Sequence, residues 1–245
     1  MLQRLVLALL AISAACVFAE GDPRLGSLGA QFDAQVARLT ERGYPKLFGD
    51  DRNFNREMSR LREEAVKYVP AKPGYTFLIV VPFTYAPRPW QIRQIILPTG
   101  EVCDIDDWKF VFQEKAGWKN YGSFTTPEVP YLAYDVDAGA DTLNRWSCDV
   151  LWDFRAHRRG LTLAECVALL VQRPELLSAT KIAAAGTGIT HTNSSGETRT
   201  EFALWYLHTY APHEPCVSSA DWKTFNDPRR TGNFYTGFQF PSCKE

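Results

Sequence analysis

The sequence predicts an α+β fold, a single domain with a mixed β-sheet covered by about four helices. Three observations predict it. Two stretches near the start carry apolar residues at helical spacing, and a continuous apolar run of strand length follows them. Residues 127–177 then read as a strand, an acidic turn and two further helices. The 245 residues suit one core, no internal repeat divides them, and no linker-like stretch splits them.

Residues 1–19 read as a signal peptide, leaving 20–245 as one globular α+β domain. Arg4 is the basic residue, Leu5 to Phe18 is apolar, and Val17 and Ala19 are small enough to flank a cleavage site. The run is shorter than the roughly 20 residues of a spanning helix, so a secreted product is expected over a membrane anchor. Cleavage leaves 26 basic against 28 acidic residues, a formal charge of −2. No nucleic acid is expected as a partner, because nonspecific binding needs a basic surface.

The first helix is expected from Ser27 to Arg42, with Leu28, Phe32, Val36 and Leu39 on one face and Gly43 as its stop. The second runs from Asn53 to Tyr68, striped by Phe54, Met58, Leu61, Ala65 and Val69 and ended by Pro70. Tyr75 to Phe83 is the best strand. Its apolar run is unbroken, so both faces are expected to be buried. Trp90 to Leu97 reads as a second strand or extended stretch, closed by Pro98-Thr99-Gly100. Residues 113–130 read as loop.

Tyr131 to Val136 is a strand running into Asp137-Ala138-Gly139-Ala140-Asp141. A weaker helix follows from Thr142 to Ala156. The clearest helix starts at Thr162, where Thr162 and Glu165 have the spacing of a capping box and Pro174 marks the end. Residues 183–198 are small and polar, a loop or hairpin. Thr200 to Tyr206 is a strand, the chain beyond Pro212 is loop-like, and Phe234 to Phe240 is expected as a last edge strand.

Five cysteines survive the expected cleavage: Cys103, Cys148, Cys166, Cys216 and Cys243. An odd number in a secreted chain suggests two disulfides and one thiol. Cys166 lies inside the helix pattern and is expected as the buried thiol. Cys103–Cys148 and Cys216–Cys243 are the preferred pairs, although spacing alone leaves the other pairings open. Asn193-Ser194-Ser195 is a glycosylation sequon, which makes Asn193 a candidate in a glycosylating host.

Several segments together resemble a known family. They are Pro130-Tyr131-Leu132-Ala133-Tyr134-Asp135-Val136-Asp137-Ala138-Gly139, Thr142-Leu143-Asn144, Arg159-Gly160-Leu161-Thr162-Leu163-Ala164-Glu165 and Pro174-Glu175-Leu176-Leu177. This pattern resembles an uncharacterised, mainly actinobacterial domain family of unknown function, and Gly43-Tyr44-Pro45 resembles that family's start. The resemblance implies an architecture and no activity. It covers most of the mature chain loosely and about 50 residues well. The carboxyl end departs from the family's tryptophan- and histidine-rich segment, so the chain reads as a secreted, divergent member.

Two functional readings follow. In the first, the chain is a binding or interaction module whose partner is an extracellular protein or small ligand. Trp222, Phe225, Phe234 and Tyr235 offer rigid stacking area with Arg229 as a polar contact, and the 84–93 loop offers Tyr85, Arg88 and Trp90. In the second, it is a hydrolase. Asp135 and Asp137, two apart on a strand, would start on one face and work with His208 or His213 as acid and base. Asp135, Asp137 and Asp141 are also the carboxylates that would hold a hard divalent cation, although they do not match an EF-hand. The ordinary alternative is that Asp137 and Asp141 cap a turn or helix. No metalloprotease, serine-hydrolase, zinc or phosphate-loop motif is present, no cofactor is identifiable, and the binding module is the favoured reading.

Overall fold

A computed structural model of the chain describes residues 28–105, 119–120, 124–143, 150, 154, 158–192, 196, 198–207, 215–221 and 238–244. The expected signal peptide and most of the Thr142–Ala156 helix lie outside these residues. Among them are five α-helices: α1 (Leu28–Glu41), α2 (Asp51–Ala65), α3 (Arg88–Ile92), α4 (Leu163–Gln172) and α5 (Leu176–Ala179). The strands are β1 (Thr76–Val80), β2 (Asp104–Ile105), β3 (Lys119–Asn120), β4 (Tyr131–Val136), β5 (Arg158–Gly160) and β6 (Lys181–Ala183). They continue with β7 (Thr187–Thr192), β8 (Thr198–Leu207), β9 (Pro215–Asp221), β10 (Phe238–Gln239) and β11 (Ser242–Lys244).

The larger sheet is mixed, as expected. β8 is its long central strand and pairs antiparallel with β6, β7 and β9. β10 joins β6 in parallel and β2 joins β9 in parallel, while β3 pairs with β7. Separately, β1 pairs antiparallel with β4, and β11 with β5. Two backbone hydrogen bonds between Asp137 and Ser242, at 2.9 and 3.0 Å, join those two pairs.

The apolar stripes of α1, α2 and α4 meet around β1. Phe32, Leu39, Phe54, Met58, Leu61, Phe77, Ile79, Val167 and Leu170 are buried together. β1 is buried on both faces, as its unbroken apolar run predicts. Among the described residues it has no second strand neighbour, and on that edge a side chain takes the strand's place. Gln35 of α1 donates through Nε2 to Phe77 O at 3.0 Å and accepts from Ile79 N–H at 2.9 Å. An open edge inside a core would leave peptide groups unpaired, and this amide closes it. Gln35 lies between Phe32 and Leu39 on the buried stripe, so a polar residue at that helical position was the available signal.

Three expectations change. Trp90–Leu97 is not a strand: residues 88–92 form α3, followed by an isolated bridge between Ile96 and Val102. Pro89 lies in the first turn of α3, where its missing N–H costs nothing and its fixed φ suits a helix. The region beyond Pro212 contains a full strand, β9, whose mixture of small and polar residues carries little alternation. The expected disulfide pairing also fails. Among the described residues there is no Sγ–Sγ bond, and Cys243 is a buried thiol. Cys243 lies opposite Arg159 in the β5–β11 pair, whereas Cys216 lies opposite Tyr206 and Asp104 in the large sheet, so the strands separate these two cysteines. Cys103 is buried, with its sulfur 3.7 Å from Asp104 O, and Cys148 lies outside the described residues. Cys166 is a buried thiol, as expected.

Replacing Gln35 by Ala leaves both β1 peptide groups buried without partners. The expected loss is about 1–3 kcal/mol in urea unfolding at unchanged m-value. A loss within experimental error would show that water replaces the amide.

Candidate functional site

The acidic segment sits on a β-bulge. Thr76 pairs with Val136, but Leu78 pairs with Ala133, so β4 carries one extra residue between these pairs. Asp135 absorbs the bulge with φ +52°, the left-handed region that aspartate tolerates better than most residues. The bulge breaks the two-residue alternation, and Asp135 and Asp137 take different partners.

Asp135 is 5% exposed. Its Oδ1 accepts from the Tyr68 hydroxyl at 2.6 Å and from Ala71 N–H at 2.8 Å, while its own N–H donates back to Tyr68 Oη at 3.1 Å. Burial raises the Tyr68 pKa, and the adjoining Asp135 carboxylate raises it further, so the phenol keeps its proton. Asp137 is half-buried and its Oδ1 accepts from Gly139 N–H at 2.8 Å, which is the turn-closing role. Gly139 has φ +88°, and a Cβ there would lie 2.7 Å from Phe240 O. Asp141 is exposed in the short 3₁₀ turn Ala140–Thr142. Among the described residues, no group of three His, Cys, Asp or Glu side chains is placed to hold a metal ion.

Arg158 braces the same bulge. Its Nη2 donates to Asp135 O at 2.9 Å and to Ser242 Oγ at 2.8 Å, its Nε donates to Ser242 Oγ at 3.0 Å, and its guanidinium lies 4.4 Å from the Tyr75 ring centre. No local pattern in the sequence marks Arg158. The strands that place it, β5 and β11, are only three residues each and carry no periodic signal.

One residue further on, Arg159 meets Glu165. The capping box predicted at Thr162 is present: Thr162 Oγ1 accepts from Glu165 N–H, and Glu165 Oε2 accepts from Thr162 N–H at 2.8 Å. Glu165 also takes two 2.6 Å hydrogen bonds from Arg159 and one of 3.2 Å from the Tyr131 hydroxyl. Glu165 is fully buried, and the Arg159 guanidinium stacks 3.5 Å from the Phe124 ring centre. Burial opposes the charge on Arg159, but the Glu165 carboxylate more than offsets it, and its pKa is raised. Burial and the Glu165 charge raise the Tyr131 pKa, and the same two causes push Cys243 up to about 12.

A second candidate lies at residues 83–90. Tyr44, within the Gly43-Tyr44-Pro45 segment, donates its hydroxyl to Gln91 Oε1 at 3.3 Å. Gln91 is buried and donates to Pro82 O and Ala86 O, at 3.4 and 3.3 Å. On this floor Trp90 packs edge-on to Tyr44 at 5.1 Å, Tyr85 packs on Phe48 at 4.7 Å, and Arg88 lies 5.2 Å from the Phe83 ring centre. Phe83, Tyr85, Arg88 and Trp90 are each half-buried, so a held framework presents part of each side chain to solvent.

The remaining candidates, His208, His213, Trp222, Phe225, Arg229, Phe234, Tyr235 and the Asn193 sequon, lie outside the described residues. Among the described residues, no helix is long and apolar enough to cross a membrane.

The model of a family of unknown function, DUF5701, matches residues 38–208. No curated protein and no solved structure matches the chain.

The Cys243 thiol gives a pH prediction. Its folded pKa is raised, so the native state binds the proton more tightly than the unfolded chain. Stability is retained below the ordinary thiol value of 9.0 and is lost as pH rises from there towards about 12. Urea midpoints measured from pH 7 to 11 are expected to hold and then fall above pH 9, with a smaller fall in Cys243→Ala. Identical slopes in the two proteins would contradict this.

Proposed function

Because the chain belongs to the DUF5701 family of unknown function, which brings no chemistry with it, we propose from its own geometry that it is a secreted, divergent member acting as a binding module. The observation that carries this reading is the state of Asp135. A general base or nucleophile needs an oxygen within reach of a substrate. Asp135 has a buried carboxylate that already holds Tyr68 and Ala71 and fixes a left-handed backbone. Asp137 closes a turn. The two carboxylates that the hydrolase reading would use, Asp135 and Asp137, are engaged in holding a strand end.

The 83–90 segment has the opposite character. Phe83, Tyr85 and Trp90 supply large, rigid, half-open rings, and Arg88 supplies charge beside them. Aromatic and arginine side chains on a preorganised floor suit recognition, because little side-chain entropy is lost on binding. The partner is an extracellular protein or small ligand, and Trp222, Phe225, Phe234 and Tyr235 are proposed as a further contact region.

The test compares the secreted full chain with the double variant Tyr85→Leu/Trp90→Leu, which keeps apolar contact with Phe48 and Tyr44. Both are isolated from culture medium under native conditions and examined by native mass spectrometry. A partner or ligand mass retained by the wild type and lost from an equally stable variant is the expected result. Asp137→Ala is expected to lose about 1 kcal/mol of stability and keep the partner. A hydrolytic activity abolished by Asp137→Asn at unchanged melting temperature would overturn the proposal.

A further inference from the structure

Two cationic side chains lie over the Tyr75 ring and a third stands opposite one of them, with no ion pair to any of the three among the described residues. Arg158 lies 4.4 Å and Lys72 5.9 Å from the ring centre. Lys244 is directly opposite Arg158 in the antiparallel β5–β11 pair. Directly opposed residues share a face with Cβ atoms about 5 Å apart, and like charges at such a position are destabilising. Among the described residues, ion pairs involve Arg56, Arg60, Arg62, Arg93, Arg159 and Arg173, and none of the three cations here is among them. Among the described residues, the neighbouring carboxylates Asp135 and Asp137 hold Tyr68 with Ala71 and Gly139 respectively.

Arg158 is held for use. Nε and Nη2 bond neutral acceptors, the Ser242 hydroxyl oxygen and Asp135 O, and the guanidinium plane is stacked on Tyr75. Nη1 makes no hydrogen bond to a described residue. A fixed guanidinium edge with two exposed ammonium groups nearby is the donor arrangement that recognises a compact, multiply charged oxyanion.

We propose that Lys72, Arg158 and Lys244 form a binding site for an oxyanion of the phosphate or sulfate class. Arg158 supplies directed N–H groups, and Lys72 and Lys244 supply mobile point charges. The oxyanion relieves the repulsion across the β5–β11 pair, so occupancy also stabilises the end of the chain against β4. This site uses none of the 83–90 residues, and its test is independent of that reading.

The experiment titrates the full secreted chain with inorganic phosphate, and separately with sulfate, at ionic strength held constant with chloride. Amide and side-chain resonances report binding. Saturable shifts centred on Lys72, Tyr75, Arg158 and Lys244 are expected, with affinity at least tenfold weaker in Lys72→Ala/Lys244→Ala. Both substitutions are at exposed positions, and because Lys244→Ala removes the charge opposite Arg158, the melting temperature without phosphate is expected to hold or rise. Arg158→Lys keeps the charge, loses the directed edge, and is expected to weaken binding as well. Linear shifts without saturation, or equal affinity in the double variant, would overturn the proposal. Sedimentation with phosphatidic acid vesicles, against phosphatidylcholine vesicles, then identifies the source. Phosphate-competed binding to the acidic vesicles assigns a lipid headgroup, and saturation by free phosphate without vesicle binding assigns a soluble ligand.

Discussion

The buried carboxylate of Glu165 is the constraint on which the described architecture depends. It accepts from Arg159 on β5, from Tyr131 on β4 and from the Thr162 amide at the start of α4. A charge taken out of water this completely is tolerated only when its lone pairs are satisfied in good geometry. The cost therefore imposes a position: β4, β5 and α4 must all reach the same two oxygens. β11 is held to β5 and bridged to β4, so the chain end is set by the same requirement. Close backbone contact completes the junction, because Gly186 N–H donates to Leu161 O at 2.9 Å and Thr187 Oγ1 accepts from Leu163 N–H at 2.9 Å.

The segments that resemble a family supply this junction. Tyr131, Arg159, Gly160, Thr162 and Glu165 all come from them, as do Asp135, Asp137 and Gly139 around the bulge. They build a scaffold: a buried ion pair, a strained strand end and a capped helix. The half-open rings at 83–90 are set on a different buried polar pair, Tyr44 and Gln91, whose tyrosine lies in the Gly43-Tyr44-Pro45 segment.

Elements whose stabilising pattern is local were legible in the sequence. The stripe of Phe32, Val36 and Leu39 placed α1, the Thr162–Glu165 spacing placed the start of α4, and the apolar run placed β1. Contacts made across the chain were not. The spacing marks Glu165 as half of a capping box, but its partner Tyr131 is 34 residues away and nothing in the spacing joins them. The shared face expected for Asp135 and Asp137 assumed regular alternation, and one extra residue in β4 removed it. Pro89 favoured a helical turn where isoleucines had suggested extension. The two thiols Cys166 and Cys243 were treated unequally because a helix pattern marked one as buried and no signal revealed the three-residue strand that buries the other.

The most direct measurement is a double-mutant cycle on the buried pair, with Arg159→Met, Glu165→Gln and both together, followed by urea unfolding. Removing one partner strands the other, so each single change is expected to cost about 3–5 kcal/mol. The double variant, with neither charge left, is expected to recover a large part of that sum, a coupling of about 2 kcal/mol or more. Single variants within about 1 kcal/mol of the wild type, adding without coupling, would contradict the account.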